Sequence, residues 1–221
     1  MSEASRTPTT LLPAILSVLE EDIVFGRLLP RERLIEEDLV ERFASTRHVI
    51  RQALTDLERA GLIDRIPNRG AQVKAYTAEE VQQLYALREM LEVQAAQLIP
   101  LPVQADLLAA LAALQDQHDE AVAQGDARAV FRADIAFHRA LYALCGNIFL
   151  TETIDALGQR AQVIRYATLR SRTSMEQARD QHHGMLQALR QADRSALVSL
   201  CLAHFQPARS AYLRQHHDML R

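Results

Sequence analysis

Cysteine, glycine and proline are scarce in this chain of 221 residues. Its two cysteines, Cys145 and Cys201, are far apart and lie in apolar helical segments, so we expect buried free thiols in a reducing cytoplasm rather than a disulfide. Only seven glycines and seven prolines interrupt a sequence that is 48% apolar, and alanine, leucine, glutamine and arginine dominate it. This composition predicts a mainly α-helical fold, and the length allows one large or two modest domains.

Long apolar runs and a strong excess of one charge are also missing. No run approaches the roughly 20 apolar residues that a membrane-spanning helix needs. The N-terminal segment MSEASRTPTT is polar and lacks the basic and then apolar regions of a secretory signal. We therefore expect a cytoplasmic protein with no membrane partner. The net charge of -3 does not by itself indicate nucleic-acid binding, so any DNA-binding surface must be local.

Three short helical patterns and a β-hairpin pattern follow a flexible arm at residues 1–10. We expect helices at Leu11–Phe25, Ile35–Phe43 and Ser45–Ala60, strands at Leu62–Ile66 and Ala71–Ala75, and a turn centred on Pro30. The second and third helices are joined so tightly that they must cross at a large angle, as in a helix-turn-helix. With the hairpin as its wing, residues 11–76 are predicted to form a winged helix-turn-helix domain.

The third of these helices has one apolar face and a basic N-terminal end. Ser45 and Thr46 are candidate N-caps. The residues that recur at helical spacing are Val49, Ile50, Ala53, Leu54, Leu57 and Ala60. Arg47 and Arg51 lie one turn apart with His48 beside them, which suits insertion into a DNA major groove. The alternative is an ordinary amphipathic helix with solvated arginines.

The wing offers two further candidates for DNA contact. Arg69, at the predicted tip, could reach the minor groove or the phosphates, and Gly70 allows close approach of the backbone. The alternative for Arg69 is a solvated arginine in a turn.

Beyond a boundary near Tyr76 the sequence is helical throughout. We expect six helices. The first runs from Thr77, which forms a capping box with Glu80, to Leu98, the second from Val103 to Ala123, and the third from Asp126 to Leu144. The fourth runs from Asn147 to Leu169, the fifth from a loop at Ser171–Ser174 to Gln191, and the sixth from Asp193 to the C-terminus. Residues 77–221 are thus predicted to form an all-helical domain.

Polar residues on inward helix faces point to a metal site in this bundle. Asp134 and His138 are one turn apart, so both side chains can reach one point. His182 and His204 share stripes with apolar residues, whereas His183 falls on a polar stripe and is assigned to solvent. One inward histidine is usually structural, but three with an aspartate suit Zn, Ni, Mn or Fe, with Zn favoured. The histidines expected at the surface are His118, His216 and His217.

Arg88 and Glu92 form another one-turn pair, in the segment YALREMLE. One interpretation is a surface ion pair. The other places Arg88 over a cavity, where it would bind the carboxylate of an organic acid.

Several segments together resemble the GntR family, and more narrowly the FadR-type subgroup with an FCD effector domain. They are LLPRERLIEEDLVERFASTRHVIRQALTDLERAGLI, NRGAQV, LREMLE, DIAFHRAL and HHGMLQALRQAD. The resemblance implies metal ligands at Asp134, His138, His182 and His204, DNA contacts by Arg47, Arg51, Arg69 and Gly70, and an effector contact by Arg88. It also implies a homodimer that binds near-palindromic operators and responds to small carboxylic acids, most often as a repressor.

The sequence departs from the family pattern at three places. The usual Pro-Gly turn is Pro30-Arg31, which removes a residue tolerant of positive φ. His48-Val49-Ile50 replaces the usual residues before the second arginine, so base preference cannot be transferred from relatives. Pro207, three residues after His204, is expected to kink the last helix and makes His204 the least secure ligand.

The leading hypothesis is therefore a metal-containing, ligand-responsive transcription regulator. The alternatives are a metal-dependent enzyme that uses the three histidines and the aspartate, and a helical interaction module whose histidines are structural.

Overall fold

The computed structural model describes residues 8–66, 70–169 and 171–218. The chain divides into two compact units, Met1–Ala75 and Tyr76–Arg221. The described residues contain no helix that is long and apolar enough to cross a membrane.

The N-terminal unit combines three helices with a small sheet. Its elements are α1 (Pro8–Val24), β1 (Arg33–Leu34), α2 (Glu36–Arg42), α3 (Arg47–Arg59), β2 (Ile63–Ile66) and β3 (Gly70–Val73). The sheet is antiparallel in the order β1-β3-β2, with Ile63 opposite Val73. The predicted helices and hairpin are confirmed, but the segment around Pro30 is more than a turn because it continues into β1. Helix α1 begins three residues before the predicted start, and residues 1–7 of the predicted arm lie outside the described residues.

Helix α3 packs through the face that its apolar spacing predicts. Val49, Ile50, Ala53, Leu54 and Leu57 are buried, whereas Ala60 is only half-buried. Thr46 is the N-cap, and its hydroxyl accepts a hydrogen bond from the backbone N–H of Val49 at 3.4 Å. Of the two candidate caps, Thr46 is therefore the one used.

The C-terminal unit consists of six helices among the described residues. They are α4 (Ala78–Leu98), α5 (Ala105–Gln124), α6 (Ala127–Ala143), α7 (Ile148–Leu169), α8 (Arg172–Arg190) and α9 (Arg194–Asp218). Thr77 and Glu80 make the predicted capping box, and the Asp193 carboxylate accepts from the N–H of Ala196 near the start of α9. The predicted loop Ser171–Ser174 was wrong: the Ser171 hydroxyl caps α8 by accepting from the N–H of Ser174.

The core of this unit is formed by residues from all six of these helices. Its buried residues are Ala95, Ala96, Ile99, Leu111, Phe137, Leu141, Tyr142, Ile154, Met185, Leu186, Ala188, Leu189, Leu197 and Cys201. Burial raises the pKa of the Cys201 thiol to about 12, which makes it a poor nucleophile. Cys145 is also a free thiol but is only half-buried, so the expectation of burial was wrong there because it lies at the end of α6.

Candidate metal centre and recognition helix

Four side chains from three helices direct one atom each toward a common point inside the C-terminal unit. Asp134 and His138 come from α6, His182 from α8 and His204 from α9. The Nε2 atom of His138 lies 3.1 Å from that of His182 and 3.0 Å from that of His204. Oδ1 of Asp134 lies 3.7–3.9 Å from the three Nε2 atoms. The inward register of all four residues, including the choice of His182 over His183, is thus confirmed.

These separations fit ligands around one small cation. In a tetrahedral zinc site with bonds of about 2.0–2.1 Å, neighbouring ligand atoms lie about 3.3 Å apart. The observed distances of 3.0–3.9 Å bracket that value. Pro207 lies inside α9, which continues to Asp218, and His204 still reaches the cluster.

The positions of the imidazole protons also favour a cation between the Nε2 atoms. Nδ1 of His182 lies 2.9 Å from Oε1 of Gln115, and Nδ1 of His204 lies 2.8 Å from Oε1 of Gln181. Because an amide oxygen only accepts, both Nδ1 atoms donate, and both Nε2 atoms carry lone pairs in the neutral rings. A single proton on Nε2 of His138 can satisfy only one of the two short nitrogen–nitrogen contacts. The other contact sets two lone pairs against each other unless a cation lies between them.

The local electrostatics keep the cluster in the form that binds metal. Burial, together with the neighbouring histidines, holds the pKa of His182 and of His204 well below the usual value. Burial alone would raise the pKa of Asp134, but the charge of Arg165 holds it well below the usual value. Neutral imidazoles and an ionised carboxylate are the ligand forms that divalent metals require.

A small cavity adjoins this cluster. Its lining residues are Tyr85, Arg88, Glu92, His138, Arg165, His204, Phe205 and Ala208. Arg88 is only 13% exposed and Glu92 3%, and their side chains are 3.0 Å apart. The pair is therefore not a surface ion pair, and the interpretation that places Arg88 at a cavity fits this geometry. Burial lowers and Glu92 raises the pKa of Arg88, and the result is a raised pKa and a charged guanidinium.

Arg165 is a residue of this site that the sequence does not reveal. It comes from α7, lines the cavity, and donates a hydrogen bond of 2.7 Å to Oδ2 of Asp134. The contact spans 31 residues, so no local spacing pattern could have indicated it.

His118 corrects another expectation. The polar segment QDQHDE predicts a surface position, but His118 is fully buried, with its ring centroid 4.9 Å from that of His182. Neither of its ring nitrogens has a hydrogen-bond partner among the described residues, and burial lowers its pKa. His183 is 48% exposed, as predicted, while the side chains of His216 and His217 lie outside those described.

The basic end of α3 carries the residues predicted to read DNA. Arg47 and Arg51 are 62% and 59% exposed, and His48 is exposed beside them. Both arginines are paired with acids of α2, because Arg47 lies 3.0 Å from Glu37 and Arg51 lies 2.8 Å from Glu36. The sequence does not predict these pairs, because the first acidic residue within α3 itself is Asp56 and both partners come from α2.

The wing is described only in part. Gly70 opens β3 at a φ of 85°, and a Cβ there would approach the carbonyl oxygen of Leu34 to 3.2 Å, so this position favours glycine. Arg69 lies outside the described residues.

Both parts of the chain match known families. Residues 14–73 match the family described as "Bacterial regulatory proteins, gntR family", and residues 83–207 match the FCD domain. The chain belongs to the GntR family, with an FCD domain. It is a transcription regulator, and the hypotheses of a metal-dependent enzyme and of a simple interaction module give way to this assignment.

Curated relatives of this GntR regulator are similar over most of their length. The chain is 24% identical over 199 residues to the HTH-type transcriptional regulator YdhC of Bacillus subtilis, which covers 90% of this chain and 89% of YdhC. It is 24% identical over 192 residues to the HTH-type transcriptional repressor RspR of Escherichia coli, with 87% and 84% covered. The crystal structure of a GntR regulator from Rhodococcus sp. RHA1 superposes with a TM-score of 0.76 at 25% identity, over 93% of this chain and 98% of that one.

Proposed function

We propose that this GntR regulator is a repressor that binds a near-palindromic operator as a homodimer. A small organic acid, bound at a metal site in the FCD domain, controls its affinity for the operator. The observation that carries the proposal is the convergence of Asp134, His138, His182 and His204 beside a cavity lined by two arginines. The name of the relative RspR, a repressor, supports the sign of regulation.

The donor set fits a divalent cation, with Zn favoured over Ni, Mn and Fe. Three imidazole nitrogens and one carboxylate oxygen at tetrahedral separations are typical zinc ligands. When bound, the metal would supply a positive charge at the wall of the cavity, which suits a carboxylate oxygen.

The effector contact is assigned to Arg88. Its guanidinium is charged, partly desolvated, and held over the rings of Tyr85 and Phe205 at 5.3 and 4.9 Å. A desolvated guanidinium binds a carboxylate more strongly than an exposed one does, because water competes less. The acid lowers operator affinity only if it prefers a dimer geometry that binds the operator poorly.

DNA contact is assigned to α3 and the wing. The residues proposed to make it are Thr46, Arg47, His48, Arg51, Arg69 and Gly70. Arginines at the exposed end of a recognition helix supply phosphate affinity and can read guanine, while the wing contacts the backbone or the minor groove. The two helices of a dimer would lie one helical turn of DNA apart, or at another fixed spacing.

Three measurements test this function. Protein purified without a His-tag should contain near-stoichiometric metal. Gel-shift with genomic fragments should find a near-palindrome, and tight but equal binding to all sequences would reject the regulator's specificity. Thermal-shift screening with organic acids should find a stabilising acid whose effect depends on metal and disappears in Arg88→Ala. Arg139→Ala is the matched control, because Arg139 makes an exposed ion pair with Asp155 on the outside of the same domain.

A further inference from the structure

A chain of hydrogen bonds leads from His182 to the protein surface. Nδ1 of His182 lies 2.9 Å from Oε1 of Gln115, and Nε2 of Gln115 donates to Oδ1 of Asp119 at 2.7 Å. The other carboxylate oxygen of Asp119 lies 2.8 Å from Nε2 of His183. Gln115 and Asp119 are one turn apart on α5, and the two histidines are adjacent on α8.

The carboxylate gives this chain a direction. Ionised Asp119 can only accept hydrogen bonds, so the Gln115 amide must turn its nitrogen to Asp119 and its oxygen to His182. Nδ1 of His182 then has to carry the proton. Gln115 and His182 are both fully buried, so an amide turned the other way would leave polar groups without partners and without water.

The other two histidines of the cluster are held less firmly. His204 has a similar contact with Gln181, but Gln181 also lines an open groove between α8 and α9, where water can compete. Nδ1 of His138 is buried without a hydrogen-bond partner among the described residues. His182 is thus the histidine whose proton position the surroundings determine most strongly.

We propose that Gln115 and Asp119 are positioning residues of the metal centre. They hold the proton of His182 on Nδ1, so that Nε2 presents its lone pair to the metal. His183 donates to the same carboxylate from the surface, so His182 and His183 both help to join α8 to α5. This inference rests on the proposed metal centre, but the proton position itself does not depend on metal.

The first test uses metal-free protein labelled with ¹⁵N-histidine. The ring ¹⁵N shifts of the wild type should assign His182 to the Nδ1–H form. Gln115→Leu should lose this preference, and Gln124→Leu should keep it. Gln124 is the matched control because it makes the same bond to the carboxylate four residues away, Glu120, on the exposed face of α5. An unchanged His182 spectrum in Gln115→Leu overturns the proposal.

The second test measures Zn²⁺ affinity by competition with a chelator. Gln115→Leu should weaken binding about 10–100-fold, the usual effect of losing the partner of a ligating histidine, and Gln181→Leu should weaken it less. Gln124→Leu should change nothing. If the wild type binds no metal, the proposed metal centre fails, whereas the ¹⁵N result still reports on the hydrogen-bond chain.

A pair of variants that exchanges the amide and the carboxylate distinguishes loss of the hydrogen-bond chain from simple misfolding. Gln115→Glu places a second carboxylate against Asp119 and should weaken Zn²⁺ binding. The double variant Q115E/D119N exchanges the amide and the carboxylate, restores a donor and an acceptor at their contact, and should return the affinity to within about threefold of wild type. A double variant no better than Q115E overturns the assignment of Asp119.

Discussion

Arg165 binds one oxygen of the Asp134 carboxylate and leaves the other oxygen facing the three histidines. The guanidinium donates to Oδ2 of Asp134 at 2.7 Å, while Oδ1 lies 3.7–3.9 Å from the three histidine Nε2 atoms. Arg165 therefore fixes which oxygen faces the histidines, and its charge keeps the buried carboxyl ionised. The same residue therefore orients the proposed metal ligand Asp134 and lines the adjoining cavity.

Replacement of Arg165 should weaken metal binding without removing a ligand. In Arg165→Met the carboxyl of Asp134 loses its main stabilising charge, its pKa rises with burial, and it rotates more freely. We expect Zn²⁺ affinity to fall about 10–100-fold in chelator competition. Arg160→Met, which replaces an exposed arginine of the same helix, is the control and should have no effect. Equal affinities for wild type and Arg165→Met would show that Arg165 does not set the charge or orientation of Asp134 for metal binding.

The buried pair Arg88–Glu92 should be important for stability. Glu92 is 3% exposed, so Glu92→Gln leaves a buried guanidinium without its counter-charge. We expect a loss of about 3–5 kcal/mol in the free energy of unfolding, measured by chemical denaturation. Glu176→Gln breaks an exposed pair of the same spacing, with Arg172, and should cost less than about 0.5 kcal/mol. Similar losses in both variants would contradict the importance of burial.

The sequence predicts most of the helices and their inward faces, because the patterns that indicate them are local. Helix periodicity, the Thr77–Glu80 capping box and the inward stripe of His182 depend on residues within a few turns, and the structure confirms all three. The metal role of the four converging residues stays a prediction. The sequence does not predict strand β1, because it has only two residues and pairs with residues that follow 37 to 39 positions later, Ala71 and Gln72.

Contacts between distant segments explain the remaining errors. His118 is flanked by acids and amides, and only the packing of α5 against α8 buries it beside His182. Arg165 and Asp134 meet through the packing of α7 on α6, which no spacing within one helix encodes. Residues 67–69, with the predicted wing contact of Arg69, lie outside the described part of the chain.

Replacement of Arg31 tests the effect of the departure from the family's usual Pro-Gly turn before β1. Its φ is 68°, the left-handed region that glycine favours, while its N–H donates to the carbonyl of Val73 at 2.9 Å. Arg31→Gly should relieve the backbone strain, keep this hydrogen bond, and stabilise the sheet by about 0.5–1 kcal/mol. Arg33→Gly, inside β1, should destabilise it by a similar amount. Native-state hydrogen exchange of the Val73 amide provides the measurement, and slower exchange in Arg33→Gly than in Arg31→Gly would contradict the prediction.

Glu36 holds Arg51 in the free protein, and its removal should change how the helix meets DNA. The carboxylate lies 2.8 Å from the guanidinium, so DNA phosphates must compete with it and also meet its negative charge. Glu36→Gln should raise the affinity for random-sequence DNA and steepen the slope of log affinity against log salt by about 0.9, one additional phosphate contact. Asp38→Asn, the same change of charge on the exposed face of α2, is the control. Equal gains in both variants would mean that net charge alone matters, and weaker binding in Glu36→Gln would mean that Glu36 holds Arg51 in the position that DNA requires.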